Sequence, residues 1–177
     1  MTGGNFTSRK PTLILLSGLP GSGKTTFAAE LSNVLAFEHV ESDAIRRSFG
    51  PVPAYSSEES GAVFAKAESL ARAALESGQH TLLDATNLSN RDRKRFLRLA
   101  RGLGVPLVAV RLTAPEATIR ERLGAPRKGH SQADFGIYER MRDRGQPFAV
   151  PVVVIDTRFS LEPAIDLVRR LIHDEAE

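Results

Sequence analysis

The chain of 177 residues has no cysteine and no tryptophan, and only two tyrosines and two methionines. Without cysteine there is no disulfide framework, no thiolate metal centre and no thiol nucleophile. No apolar run approaches the roughly 20 residues that a membrane-spanning helix needs, so no membrane partner is expected. The apolar run Leu13–Leu16 follows Arg9 and Lys10, as a secretory signal would, but it is too short and leads into glycines instead of a small-residue cleavage site. A cytoplasmic protein is the expectation. A dominant charge is lacking too: 24 Lys+Arg face 21 Asp+Glu, a net charge of +3. Even with a pI near 9.6, composition alone therefore selects no nucleic-acid partner. The length suits one domain with a core that needs no covalent staple. Neither a repeat nor a low-complexity segment divides the chain. Residues 1–10 read as a flexible tail and 11–177 as a single domain.

What the sequence does contain is a complete phosphate-binding loop, the Walker A pattern, directly after that apolar run. It comprises Gly18, Leu19, Pro20, Gly21, Ser22, Gly23, Lys24 and Thr25, with Thr26 following. Glycines let successive N–H groups converge on one concavity, and the helix opening at Lys24 adds the positive end of its dipole. In this spacing Lys24 reaches the outer phosphates of a nucleoside triphosphate and the Thr25 hydroxyl takes a Mg²⁺ position. The plain alternative is a glycine-rich turn joining a strand to a helix.

Short apolar runs alternate with helical patterns, the signature of a parallel α/β sheet. Five strands are predicted near residues 12–17, 38–41, 80–84, 107–112 and 152–155. Ser56 to Glu59 has capping-box spacing and opens a helix that places Val63, Ala67, Leu70, Ala74 and Leu75 on one face and stops at Gly78. Ser89 opens another, ended by Gly102. The segments Thr113–Glu116 and Ser131–Asp134 cap two more, and Leu161, Ile165, Val168 and Ile172 mark a last helix that packs on the sheet.

Ligands of such sheets sit at the carboxyl ends of the strands, so the residues just past each run carry the information. After the second strand comes Ser42-Asp43-Ala44-Ile45-Arg46, and after the third Asp84-Ala85-Thr86-Asn87. Carboxylates beside a triphosphate repel it unless each has a task, and proton abstraction and metal binding are the two candidates. Asp43 is the candidate general base for transfer to a hydroxyl, and Arg46 orients it or holds a phosphate of the acceptor. Alternatively Asp43 only caps a short helix over 44–48 and Arg46 is a solvated surface residue. Asp84 suits Mg²⁺ or substrate, or else serves a turn. Ala85 stands where many mechanical ATPases carry a water-activating glutamate, and no Asn-Lys-x-Asp sequence marks a guanine switch.

The segment from about 120 to 145 has lid chemistry: glycines and a proline for movement, and arginines to cover a transferring phosphoryl group. Arg122 and Arg127 are its catalytic candidates; an idle basic loop is the alternative. Arg91, Arg93, Lys94, Arg95, Arg98 and Arg101 crowd one helix. That face would suit a nucleic-acid backbone, or is simply solvated.

The ordered set GLPGSGKTTF, SDAIRR, LLDATNLSNRDR and RLTAPEATIRERL resembles the P-loop kinase family typified by polynucleotide 5′-hydroxyl kinases. The resemblance implies a three-layer fold with a parallel sheet of order 2-3-1-4-5 and a lid. It also implies transfer of the γ-phosphate of ATP, with Mg²⁺, to a hydroxyl. By resemblance Lys24 and Thr25 serve phosphate and metal, Asp43 is the base, Arg46 holds the acceptor's neighbouring phosphate, and Arg122 and Arg127 are lid arginines. Asp84 and Asn87 agree with the substrate side. The leading acceptor is an RNA or DNA 5′ end. Similar signatures occur in zeta-type toxins and in antibiotic-phosphorylating enzymes, so a small-molecule hydroxyl remains an alternative, as does an ATP-binding regulatory module.

Overall fold

The computed structural model describes residues 10–50, 56–86, 89–125 and 135–174. Five parallel strands, β1 (Leu13–Ser17), β2 (Glu38–Glu41), β3 (Thr81–Asp84), β4 (Leu107–Thr113) and β5 (Val152–Asp156), form one sheet in the order β2-β3-β1-β4-β5. Sheet class and strand order are those expected. β1 is buried along its whole length, as a near-continuous apolar strand of a parallel sheet must be.

Strand alternation sends side chains to two separate cores. Ile14, Leu16, Leu82, Val110 and Leu112 meet α1 (Lys24–Ser32) and α7 (Glu162–Asp174) on one face. Leu13, Leu15, Val40 and Leu83 meet α3 (Ser57–Glu76) and α4 (Asn90–Leu103) on the other. The three layers thus follow from periods of two and 3.6 residues laid one on the other. Between β2 and α3 lies the short α2 (Ser42–Phe49), and between β4 and β5 lie α5 (Glu116–Gly124) and α6 (Phe135–Arg142). No helix among the described residues is long and apolar enough to cross a membrane.

Local signals act largely as read. Ser56 caps α3 by accepting from the Glu59 N–H at 3.0 Å, and Ser89 caps α4 by accepting from the Asp92 N–H at 3.1 Å. Three details differ. The buried stripe of α3 is Val63, Ala67, Ala71, Ala74 and Leu75, while Leu70 is exposed. At about 100° per residue, Leu70 lies on the margin of a stripe centred on Ala67 and Ala71. α4 runs through Gly102 and ends at Gly104, whose φ of 63° is the left-handed value that closes helices. Thr113 belongs to β4, and Pro115 occupies the cap position of α5 with no side-chain cap. The Ser131–Asp134 cap and the residues 126–134 of the expected lid lie outside the described residues, as do 1–9 of the tail.

Candidate active site

The loop after β1 takes the form its glycines permit. Gly21 and Gly23 have φ of 78° and 96°, values costly for any side chain, and they turn the backbone into α1. Lys24 starts that helix and lies back across the loop, its Nζ donating to the carbonyls of Gly18 at 2.9 Å and Leu19 at 3.4 Å. Gly18 and Pro20 are buried, whereas Thr25 and Thr26 are exposed on the first turn of α1. The Ser22 hydroxyl is buried and has no hydrogen-bond partner among the described residues. A cradle of backbone N–H groups with one ammonium across its mouth has the donor chemistry for a polyphosphate.

Arg122, in the last turn of α5, is clamped to this loop. Its Nη1 donates to the Gly21 carbonyl at 3.2 Å and to Thr157 Oγ1 at 2.8 Å, and its Nη2 to the Thr157 carbonyl at 2.9 Å. Thr157 follows β5, and its hydroxyl proton serves the carbonyl of Ser22 at 3.0 Å or of Thr113 at 3.2 Å. One threonine therefore ties together the loop, the end of β4 and the arginine. Sequence reasoning missed Thr157. The rule about residues past each strand applied to it, but a lone threonine carries no motif.

Two strand ends lie at the same edge of the sheet as the loop, that of β3 next to it. Glu41 closes β2 in register with Asp84, which closes β3. Asp84 is buried and takes a contact from His39 Nε2 at 3.3 Å. That hydrogen bond raises the His39 pKa above its ordinary value, outweighing the burial that opposes it. Glu41 is also raised, first by burial and then by the Asp84 charge. His39, Glu41 and Asp84 share the strand parity of Leu82 and Leu16 and so belong to the face of the sheet on which α1 lies.

Asp43 sits in the first turn of α2, half-buried, where the helix dipole favours a carboxylate. It is not a cap: the helix starts one residue earlier, and Glu41 holds the N-cap position. Arg46 is buried instead of solvated, and it is engaged by α3. Its Nη1 donates to the Glu59 carboxylate, and its Nη2 lies 3.5 Å from the Ser60 hydroxyl. Asn87 and Arg127 lie outside the described residues.

The arginine-rich α4 is not one uniform basic face. Arg93 is buried and donates through Nη2 to the carbonyls of Gln146 at 2.7 Å and Pro147 at 2.8 Å, with its guanidinium 4.3 Å above the Phe148 ring. Arg95 pairs with Glu68 of α3 at 2.9 Å. Arg91, Lys94, Arg98 and Arg101 are exposed.

Comparison with known proteins places these features in context. The chain is similar to the L-seryl-tRNA(Sec) kinase of Methanococcus maripaludis, at 29% identity over 155 residues. The match covers 82% of this chain and 59% of the relative, so the chain spans little more than half the length of that protein. Among solved structures it resembles the APS kinase CysC of Mycobacterium tuberculosis bound to AMPPNP and APS, with a TM-score of 0.71, 15% identity, and 93% and 98% of the two chains covered. It also resembles a gluconokinase from Sinorhizobium meliloti 1021, with a TM-score of 0.71, 17% identity, and 95% of each chain covered. The shared architecture is the P-loop kinase fold. Residues 13–148, from the first residue of β1 to the phenylalanine under Arg93, match the family described as AAA domain, and the chain belongs to that family.

Proposed function

We propose that this chain is an ATP-dependent kinase that moves the γ-phosphate of ATP to a hydroxyl acceptor, the leading acceptor being the 5′-hydroxyl of a polynucleotide. One arrangement carries the reading: a phosphate loop bridged by Lys24 and clamped by Arg122 opens at the same sheet edge at which the first turn of α2 carries Asp43. Phosphoryl transfer needs positioning and charge stabilisation more than covalent help from the protein. The loop N–H groups and Lys24 hold the phosphates. Arg122, held against the loop, supplies positive charge to offset what develops on the transferring oxygens. Asp43 accepts the proton as the acceptor oxygen bonds to phosphorus and the bond to the bridging oxygen of ADP breaks. Ala85, buried after Asp84, supplies no carboxylate to activate water in competition.

Thr25 and Asp84 suit Mg²⁺, a hard cation that takes oxygen ligands. No group of three or more His, Cys, Asp or Glu among the described residues could hold a metal alone. Thr25 and Asp84 would hold the ion together with substrate phosphates and water. Bound there, the ion offsets charge on the phosphate oxygens.

The Asp43-x-x-Arg46 spacing supports a nucleic-acid acceptor, and a relative named for L-seryl-tRNA(Sec) supports a substrate that includes nucleic acid. The pairing of Arg46 with Glu59 favours the second reading, a small hydroxylated molecule without a neighbouring phosphate, because the arginine's charge is already matched. Transfer of labelled γ-phosphate from ATP and Mg²⁺ to a 5′-hydroxyl RNA or DNA oligonucleotide tests the first, with Asp43→Asn as control. Label with wild type and none with Asp43→Asn supports a polynucleotide kinase. Label only on a hydroxylated metabolite supports the second reading. ATP binding with no acceptor labelled would overturn both in favour of a regulatory module.

A further inference from the structure

Among the described residues, the α3/α4 face of the sheet is incompletely covered. A right-handed crossover from β4 to β5 belongs on that face, beside α4, just as the crossover from β3 to β4 does. Yet α5 stands against the phosphate loop, where its Ile119 and Leu123 approach Gly21, and the chain returns to β5 through the helix-free residues 143–151. Where a third helix would lie there is a trough of about 800 Å³ between α4 and residues 149–150. Its floor is aliphatic, formed by Leu97, Val105, Leu107 and Val150. Next to it on the same face, Val154 of β5 is 60% exposed and in register with the exposed Arg111. The far wall is preformed, since Arg93 holds the Gln146 and Pro147 carbonyls and lies over Phe148.

The rim nearest α4 carries Arg91, Lys94, Arg98 and Arg101. Their spacing of three, four and three residues puts all four charges on one helical stripe, about 15 Å long at 1.5 Å per residue. All four are exposed, and none forms an ion pair with a described residue. We propose that the trough is a docking site for an acidic amphipathic α-helix of a partner protein. Such a helix, about three turns long, fills the vacant position at the usual 8–10 Å from α4. Its apolar side chains meet Leu97, Leu107 and Val150, and its carboxylates meet the cationic stripe. The floor offers no aromatic ring on which a base could stack, which disfavours single-stranded nucleic acid. It offers no convergent polar groups to orient a small polar ligand either. The site is on the opposite face of the sheet from α1 and does not rest on the kinase reading.

The test uses the full chain and a labelled synthetic peptide with a Leu face and a Glu face, measured by fluorescence anisotropy at about 150 mM salt, where weak surface attraction is screened. A scrambled peptide of identical composition and a 12-nucleotide RNA are the comparators. Saturable peptide binding is expected. It should weaken at least about tenfold in Lys94→Glu/Arg98→Glu and with the scrambled peptide, a difference of about 1.4 kcal/mol. Unchanged thermal melting certifies the variant's fold, and Lys94→Ala/Arg98→Ala serves if the reversal unfolds the chain. Absence of binding, equal binding of the scrambled peptide, indifference to these substitutions, or displacement of the peptide by the RNA would each overturn the proposal.

Discussion

Arg46 of α2 and Glu59 of α3 form an ion pair in which the two side chains keep only 10% and 15% of their exposure. The pair fastens the helix that carries Asp43 to the first turn of α3. Removing one partner of a buried pair leaves the other charge unmatched, which costs roughly 3–5 kcal/mol in dry sites. Arg46→Ala should therefore lower stability by about 3 kcal/mol, near the bottom of that range because some solvent remains; urea unfolding measures it. Glu59→Gln separates the two acceptor readings. If an acceptor phosphate binds Arg46, it must displace Glu59, and the variant should lower KM for a 5′-hydroxyl oligonucleotide about three- to tenfold with kcat unchanged. An unchanged KM would assign Arg46 to holding α2 in place.

Why such a pair escapes sequence reading is instructive beside what did not. The central strands were legible because a sheet buried on both faces demands apolar runs such as Leu13–Leu16, and the carboxyl ends of β1, β2 and β3, at Ser17, Glu41 and Asp84, were placed to the residue. Helix starts were legible where a serine could cap. What failed was anything decided between distant segments. Arg93 reads like its basic neighbours, and only the return of 146–148 along α4 buries it. Thr157 acquires its role because β5 ends beside Gly23. For Asp43 the alternative of a cap on a helix over 44–48 falls away because β2 feeds directly into α2 at Ser42.

Among the described residues, the Lys24 ammonium donates to the carbonyls of Gly18 and Leu19 alone. Lys24→Ala should leave the unfolding midpoint nearly unchanged, because a half-exposed hydrogen bond contributes about 1 kcal/mol or less. Phosphoryl transfer should fall by a factor of about 10² or more, the scale of losing one preorganised electrostatic group. Full transfer in this variant would contradict the mechanism.

His80 accepts the Thr12 backbone N–H at Nδ1, 3.0 Å away, a bond that only the deprotonated nitrogen can make. Burial, and then the His173 charge, hold its pKa below the ordinary histidine value. The folded chain therefore binds fewer protons than the unfolded chain just below pH 6.5, so stability rises with pH there. This contribution is present above about pH 6.5 and is lost as pH falls through the lowered folded pKa. His80→Asn keeps an acceptor oxygen and removes the titration. Its unfolding midpoint should vary less between about pH 7 and pH 5 than that of the parent; parallel curves would show that His80 does not report this linkage.

Arg122 and Thr157 share two hydrogen bonds beside the phosphate loop, and a third ties Arg122 to Gly21, so the two residues should be coupled. The guanidinium spans the Gly21 carbonyl, the Thr157 carbonyl and the Thr157 hydroxyl at once. A lysine ammonium, a point donor on a flexible stem, cannot satisfy that planar set, so Arg122→Lys should behave more like Arg122→Ala than like wild type. Thr157→Val removes the hydroxyl while keeping its shape. It should cost about 1–2 kcal/mol, because the Ser22 or the Thr113 carbonyl loses a donor and Arg122 loses an acceptor. Each substitution loosens the same wall of the loop, so each should weaken ATP binding severalfold. The double variant should lose less than the sum of the singles, with a coupling of about 0.5 kcal/mol or more. Additive losses in titration calorimetry would mean that the two residues act separately, and that Thr157 merely packs beneath Gly23 while Arg122 meets the phosphates alone.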